Sequence, residues 1–159
     1  MHTPHTRTLA LASPEQTCAA AQTLAPFLVA GDVVLLTGDI GAGKTHFARC
    51  MIQSLLAIPE DVPSPTFTLV QTYPGREAEI WHADLYRLTD TNEVFELGLI
   101  DAFESAICLI EWPDRLGDLA PQSALHITLS PAVEPDARMM TLEWQNPVWT
   151  RRIAAALER

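Results

Sequence analysis

Apolar positions along the chain fall into two kinds of grouping, and each predicts a different element. Val33 to Thr37 (VVLLT) and Ile107 to Glu111 (ICLIE) are short, nearly continuous apolar runs, the pattern of strands buried on both faces of a parallel sheet. Over 44–57, Phe47, Met51 and Leu55 recur at helical spacing with Ile52 and Leu56 beside them, which predicts a helix with a broad apolar face. Ser13-Pro14-Glu15-Gln16 combines a capping hydroxyl, a first-turn Pro and a Gln three residues after the cap, so a helix is predicted from here to about Leu28. Gly31-Asp32 then turns the chain into the first apolar run.

Residues 67–73 and 80–84 read as two strands joined by a turn at Pro74-Gly75, an antiparallel hairpin. A short capped helix is predicted over 91–97, strands over 125–129 and 139–143, and a terminal helix over 148–158 after Asn146-Pro147. Strands and helices alternate, with some strands adjacent. The expected architecture is a three-layer α/β fold with a mixed, mostly parallel sheet, formed by residues 1–159 as one domain.

Composition narrows the function classes. A hydrophobic share of 48% supports one ordinary core, and no apolar stretch approaches the 18 residues of a membrane span. Met1 to Ala12 lacks the charged start and long apolar centre of a secretory signal, so a cytoplasmic protein is expected. Cys18, Cys50 and Cys108 are irregularly spaced with no CxxC pair, and are expected as reduced, mostly buried thiols. The formal charge of -10 disfavours unaided binding to a nucleic-acid backbone, which needs clustered Lys and Arg. Basic residues comprise nine Arg and a single Lys, and that Lys is Lys44, inside a Gly-rich loop.

That loop carries the chemistry. Gly38 to Thr45 (GDIGAGKT) matches GxxxxGK[ST], lying between a predicted strand and a predicted helix. The pattern works because Gly38, Gly41 and Gly43 let backbone N–H groups converge on phosphate oxygens while the helix N-terminus adds its dipole. Lys44 is placed to bridge the outer phosphates and the Thr45 hydroxyl to bind magnesium. Asn92 and Asn146, the chain's two Asn residues, open no NKxD motif, which favours ATP over GTP. A carboxylate at a neighbouring strand end should complete the magnesium site. Two compete on spacing alone: Glu111, ending an apolar run, and Asp84, ending the mixed strand before it.

Four segments in order, Gly38 to Thr45, Ser64 to Tyr73 (SPTFTLVQTY), His82 to Leu88 (HADLYRL) and Ile110 to Asp114 (IEWPD), resemble the TsaE family, also called YjeE. These are bacterial ATPases required for threonylcarbamoyl modification of the adenosine beside the tRNA anticodon. The resemblance implies that Gly41, Ala42, Gly43, Lys44, Thr45 and His46 form the nucleotide loop. It further implies that Thr45 and Glu111 are the magnesium ligands, and that Asp84 of the HxDxYR motif orients or activates the attacking water. Thr66 falls in a segment resembling a switch loop. Glu15 and Glu134, the latter in the 132–136 loop, correspond to regions near the adenine. Tyr86 and Arg87 are expected to fix the loop or a partner surface. The implied partners are TsaD, which transfers the threonylcarbamoyl group, and TsaB, its dimerisation partner, with tRNA reached only through them. His46 departs from the second Thr or Ser common at its position. A small-molecule kinase and a nucleotide-gated binding module with negligible turnover are the rival readings.

Overall fold

A computed structural model describes residues 4–39, 41–65 and 69–157. In chain order the first half forms β1 (His5–Leu11), α1 (Pro14–Leu24) with a 3-10 turn (Ala25–Phe27), β2 (Val33–Thr37), α2 (Lys44–Leu55), β3 (Val70–Pro74) and β4 (Glu79–Asp84). The second half forms α3 (Asn92–Glu96), α4 (Leu99–Ser105), β5 (Ile107–Glu111), a 3-10 segment (Pro113–Leu119), β6 (Leu125–Pro131), β7 (Arg138–Trp144) and α5 (Pro147–Leu157).

The strands make one sheet in the order β1-β7-β6-β2-β5-β4-β3. Its centre, β6-β2-β5-β4, is parallel, while β3, β7 and β1 pair antiparallel at the two sides. The expected mixed α/β sheet is therefore present, with the parallel character concentrated in the middle.

Strand alternation produces the three layers. In β2, Val34 and Leu36 face a core shared with α1, α2 and α5, whereas Val33 and Leu35 face a second core shared with α3, α4 and Leu116 of the 3-10 segment. Ile107 and Leu109 of β5 join the first core, and Cys108 and Ile110 the second. Both faces of β2 and β5 are thus covered, which is why these two sequences are nearly continuous apolar runs rather than alternating ones.

The α1 start follows the predicted capping pattern. Ser13 Oγ accepts from the Gln16 N–H at 3.2 Å, and Gln16 Oε1 accepts from the Ala12 N–H at 2.8 Å. At the other end of the domain, Arg152 of α5 meets Asp32 Oδ2 at 2.7 Å, and the same oxygen accepts from the Val29 N–H. This pins the turn that feeds β2, and through it the loop that follows.

Several expectations need correction. Residues 5–11 form an edge strand on β7, in a stretch whose mixed Thr, Arg and His content gave no strand signal. A second short helix, α4, and the 3-10 segment were also unexpected. Cys18 and Cys50 are joined in a disulfide between α1 and α2 rather than being free thiols, because the two packed helices bring their Cα atoms to 5.4 Å. Cys108 matches the expected buried thiol, and burial pushes its pKa up to about 12. Trp144 and Trp149 are buried, and donate to Thr150 Oγ1 and the Ser123 carbonyl respectively, each at 2.8 Å. The start of the first hairpin strand at Phe67 and the helix end at Glu158 lie outside the described residues.

Candidate functional site

Parallel pairing sends β2, β5 and β4 toward the same edge of the sheet, so their C-terminal residues emerge side by side. In register, Leu36 pairs with Glu111 and Glu111 with Asp84. The chain leaves β2 at Thr37, loops through Gly38 to Gly43 and enters α2 at Lys44. This is the crevice beyond the carboxyl ends of strands where open α/β sheets take ligands.

Two glycines have specific work in the loop. A Cβ on Gly38 would lie 2.5 Å from the Leu129 carbonyl oxygen, so only glycine lets the loop pass β6 this closely. Gly43 stands at φ 101°, a left-handed conformation that turns the chain into α2. The first helical bond of α2 runs from the Phe47 N–H to the Gly43 carbonyl at 2.9 Å. The N–H groups of the first turn therefore have no acceptor within the helix, and they form a ready anion site.

Lys44 is buried at 5% exposure. Its Nζ donates to the Gly38 carbonyl at 2.5 Å and lies 3.6 Å from the centroid of the Trp112 ring. Burial pulls this ammonium below its ordinary pKa, while Glu111, Asp84, Asp39 and Asp114 act in the opposite direction. The cation is thus held by a carbonyl and an aromatic face, with no carboxylate in contact among the described residues, an arrangement an incoming phosphate can displace.

Glu111 is also buried, at 1% exposure, and both its oxygens are engaged. Oε1 accepts from the Thr45 hydroxyl at 2.8 Å, and Oε2 accepts from His82 Nε2 at 2.7 Å. Thr45 and Glu111 together offer hard oxygen donors at one point, the donor type and number that magnesium takes from a protein when phosphate and water supply the rest. Asp84, beside Glu111 on the next strand, accepts from the Tyr86 N–H at 3.0 Å. Burial raises its carboxyl above the ordinary Asp range and the nearby Glu111 adds to this, against the Tyr86 hydrogen bond, Lys44 and His82.

Gly41, Gly43, Lys44, Thr45, His46, Asp84 and Glu111 meet around a cavity of about 400 Å³, with Tyr86 and Trp112 on its wall. His46 Nε2 donates to the Pro14 carbonyl at 2.9 Å, tying α2 to the start of α1. Gly38 and Ala42 belong to the same loop but do not line this cavity. Glu15 and Glu134 are exposed and do not line it. Thr66 lies outside the described residues; the following Leu69 takes φ 66° and its carbonyl accepts from the Asp84 N–H at 2.8 Å.

Three site residues were not foreseen in these roles. His82 is a fully buried residue of β4, and its contact with Glu111 makes it a brace for that carboxylate. Trp112 packs on Lys44 and, at 4.9 Å between centroids, on Tyr86. Its position directly after the strand-end carboxylate was the available signal. Arg138, distant in sequence, reaches the Gly41 and Ala42 carbonyls, and nothing in the local sequence marks it.

The family model described as "Threonylcarbamoyl adenosine biosynthesis protein TsaE" matches residues 11–146. The chain is 38% identical to the tRNA threonylcarbamoyladenosine biosynthesis protein TsaE of Rickettsia conorii, over 83% of this chain and 75% of that one. It is likewise 38% identical to the protein of the same name from Bacillus subtilis, over 81% of this chain and 80% of the relative. The crystal structure of Bacillus subtilis YdiB superposes with a TM-score of 0.80 at 28% identity, covering 99% of this chain and 98% of that one.

Proposed function

The chain belongs to the TsaE family of threonylcarbamoyl adenosine biosynthesis proteins, and from that premise we propose that it is a magnesium-dependent ATPase serving the threonylcarbamoyl modification of tRNA. The observation that carries this reading is the convergence of Lys44, the Thr45 hydroxyl and the Glu111 carboxylate at the open N-terminus of α2, around one cavity.

In this reading the first-turn N–H groups of α2 and the N–H groups of the loop hold the phosphate oxygens. Lys44 exchanges the Gly38 carbonyl and the Trp112 face for the outer phosphates. Thr45 and Glu111 hold magnesium, whose charge offsets that of the phosphates when it is bound. His82 keeps Glu111 aimed by occupying its second oxygen. Asp84 orients the attacking water from the next strand end, where its raised pKa favours proton uptake over that of an ordinary Asp. Thr66 acts in this reading as the switch hydroxyl. Glu15 and Glu134 would serve the adenine only by approaching the nucleotide from outside the cavity described above.

The reading makes turnover by the isolated chain weak. Lys44 is already engaged by two groups and both oxygens of Glu111 are occupied, so nucleotide must displace existing contacts. We assign the acceleration to a complex with TsaB and TsaD in the cytoplasm. The formal charge of -10 suits a regulator that leaves the RNA to those partners. No described helix is long and apolar enough to cross a membrane.

The test is phosphate release from ATP and magnesium, by the chain alone and with TsaB and TsaD, with radiolabelled threonine followed into tRNA. The reading expects slow release alone, faster release in the complex, and threonine incorporation that requires this chain. Incorporation indifferent to the chain, or release that requires a small-molecule phosphoryl acceptor, would overturn it.

A further inference from the structure

Arg138, the first residue of β7, spends its guanidinium on four backbone carbonyls. Nε donates to Ala42 at 2.9 Å and Nη2 to Gly41 at 3.2 Å, while Nη1 donates to Pro135 at 2.9 Å and to Ala137 at 2.8 Å. One side chain thus joins two consecutive peptides of the 38–45 loop to the turn between β6 and β7. All the acceptors are neutral, and they lie 96 and 97 positions away in the loop and 3 and 1 away in the turn. The fork geometry of Arg is suited to such a span, and a Lys ammonium is not.

The consequence lies on the far side of each peptide. No peptide bond among the described residues is cis, so every C=O opposes the N–H of the next residue. Holding the Ala42 carbonyl turns the Gly43 N–H the other way, and Gly43 lines the cavity. The neighbouring peptide is fixed at both ends, its Gly41 carbonyl by Arg138 and its Ala42 N–H by the Asp39 carbonyl at 3.0 Å. Without such a clamp, the glycines at 41 and 43 would let these peptides rotate freely.

We propose that Arg138 is a positioning residue that presets the loop for phosphate, by gripping the outward carbonyls of Gly41 and Ala42 so that the Gly43 N–H faces the cavity. This rests on the reading of that cavity as the ATP site. Arg138 touches no reacting atom. It acts through the backbone, and its effect falls on the polyphosphate rather than on the base.

Calorimetry with magnesium-ATP and with magnesium-pyrophosphate, on the wild type, Arg138→Met and Arg138→Lys, tests it. Arg138→Met should weaken both probes by roughly tenfold, the scale of one lost charge-assisted hydrogen bond. Arg138→Lys should recover only part of that loss. In steady state with the partner complex, KM for ATP should rise while kcat stays close to wild type, because ground and transition states lose the same contact. Circular dichroism and urea unfolding confirm that the variants are folded; if Arg138→Met is not, Arg138→Lys carries the same criterion. Unchanged affinity in a folded variant overturns the proposal, as does loss of ATP binding with pyrophosphate binding spared. A wild type that binds neither probe would contradict the ATP reading itself, whereas wild-type binding with indifferent variants would contradict the role of Arg138 alone.

Discussion

His82 Nε2 and Glu111 Oε2 meet at 2.7 Å, with His82 fully buried. His82 and Asp84 stand two apart on β4 and so share a face, and Asp84 pairs in register with Glu111. The HxD spacing therefore places one residue to brace the strand-end carboxylate from below and a second carboxylate beside it. A buried carboxylate oxygen without a donor is costly, and here the imidazole removes that cost.

Replacing His82 by Ala should leave that oxygen unpaired in the interior. Stability should fall by about 1–3 kcal/mol, and magnesium-dependent ATP affinity should fall with it as Glu111 loses its aim. Urea unfolding and calorimetry at several magnesium concentrations check both. A variant with wild-type magnesium dependence would show that Thr45 alone suffices to orient Glu111.

The two carboxylates should separate by kinetics. Glu111→Gln should lower magnesium-dependent ATP affinity as well as rate, because the loss precedes chemistry. Asp84→Asn should leave ATP binding nearly intact while hydrolysis falls by roughly a factor of 100. Magnesium titrations of both variants decide, and the reversed pattern would move the metal ligand to β4.

Stability should depend on pH through Asp84. Its pKa is raised above the ordinary 3.8 by burial first, so the native state holds this proton more tightly than the unfolded chain does. The resulting stabilisation is complete below the ordinary value and is lost as pH rises through the raised one. Asp84→Asn abolishes this titration, so the stability of the variant relative to wild type should grow as pH rises across that window. Urea unfolding of both proteins at a series of pH values measures it; a constant difference would contradict the shift.

The Cys18–Cys50 bond closes a loop of sequence separation 32 between α1 and the helix that begins at Lys44. By loop entropy it should contribute roughly 3–4 kcal/mol. Reduction with dithiothreitol should lower the urea midpoint of the wild type and leave that of a Cys18→Ser, Cys50→Ser double variant unmoved. Equal midpoints for reduced and oxidised wild type would contradict this.

Legibility followed the range of the interactions. The strand, loop and helix around Lys44, the strand ending at Glu111 and the hairpin at Pro74-Gly75 are local patterns, and they appear where the pattern of residues put them. The β1 strand is defined by its distant β7 partner, from His5 against Trp144 to Leu11 against Arg138, and its own sequence carries little apolar alternation. The disulfide was invisible for the same reason, since only helix packing brings Cys18 and Cys50 together. At the site, Lys44, Thr45, Asp84 and Glu111 were named from motif and strand end, whereas the contacts of Trp112 and Arg138 depend on which loops the sheet order sets side by side.

The central claim is that the cavity beside Lys44 takes magnesium-ATP, and calorimetric titration of ATP into the wild type and Lys44→Ala, with and without magnesium, tests it most directly. The account predicts one ATP per chain, tighter binding with magnesium, and affinity lost by at least roughly tenfold in a folded Lys44→Ala, because that variant removes the ammonium that meets the phosphates. Equal ATP affinity in the two proteins, or binding indifferent to magnesium, would contradict it.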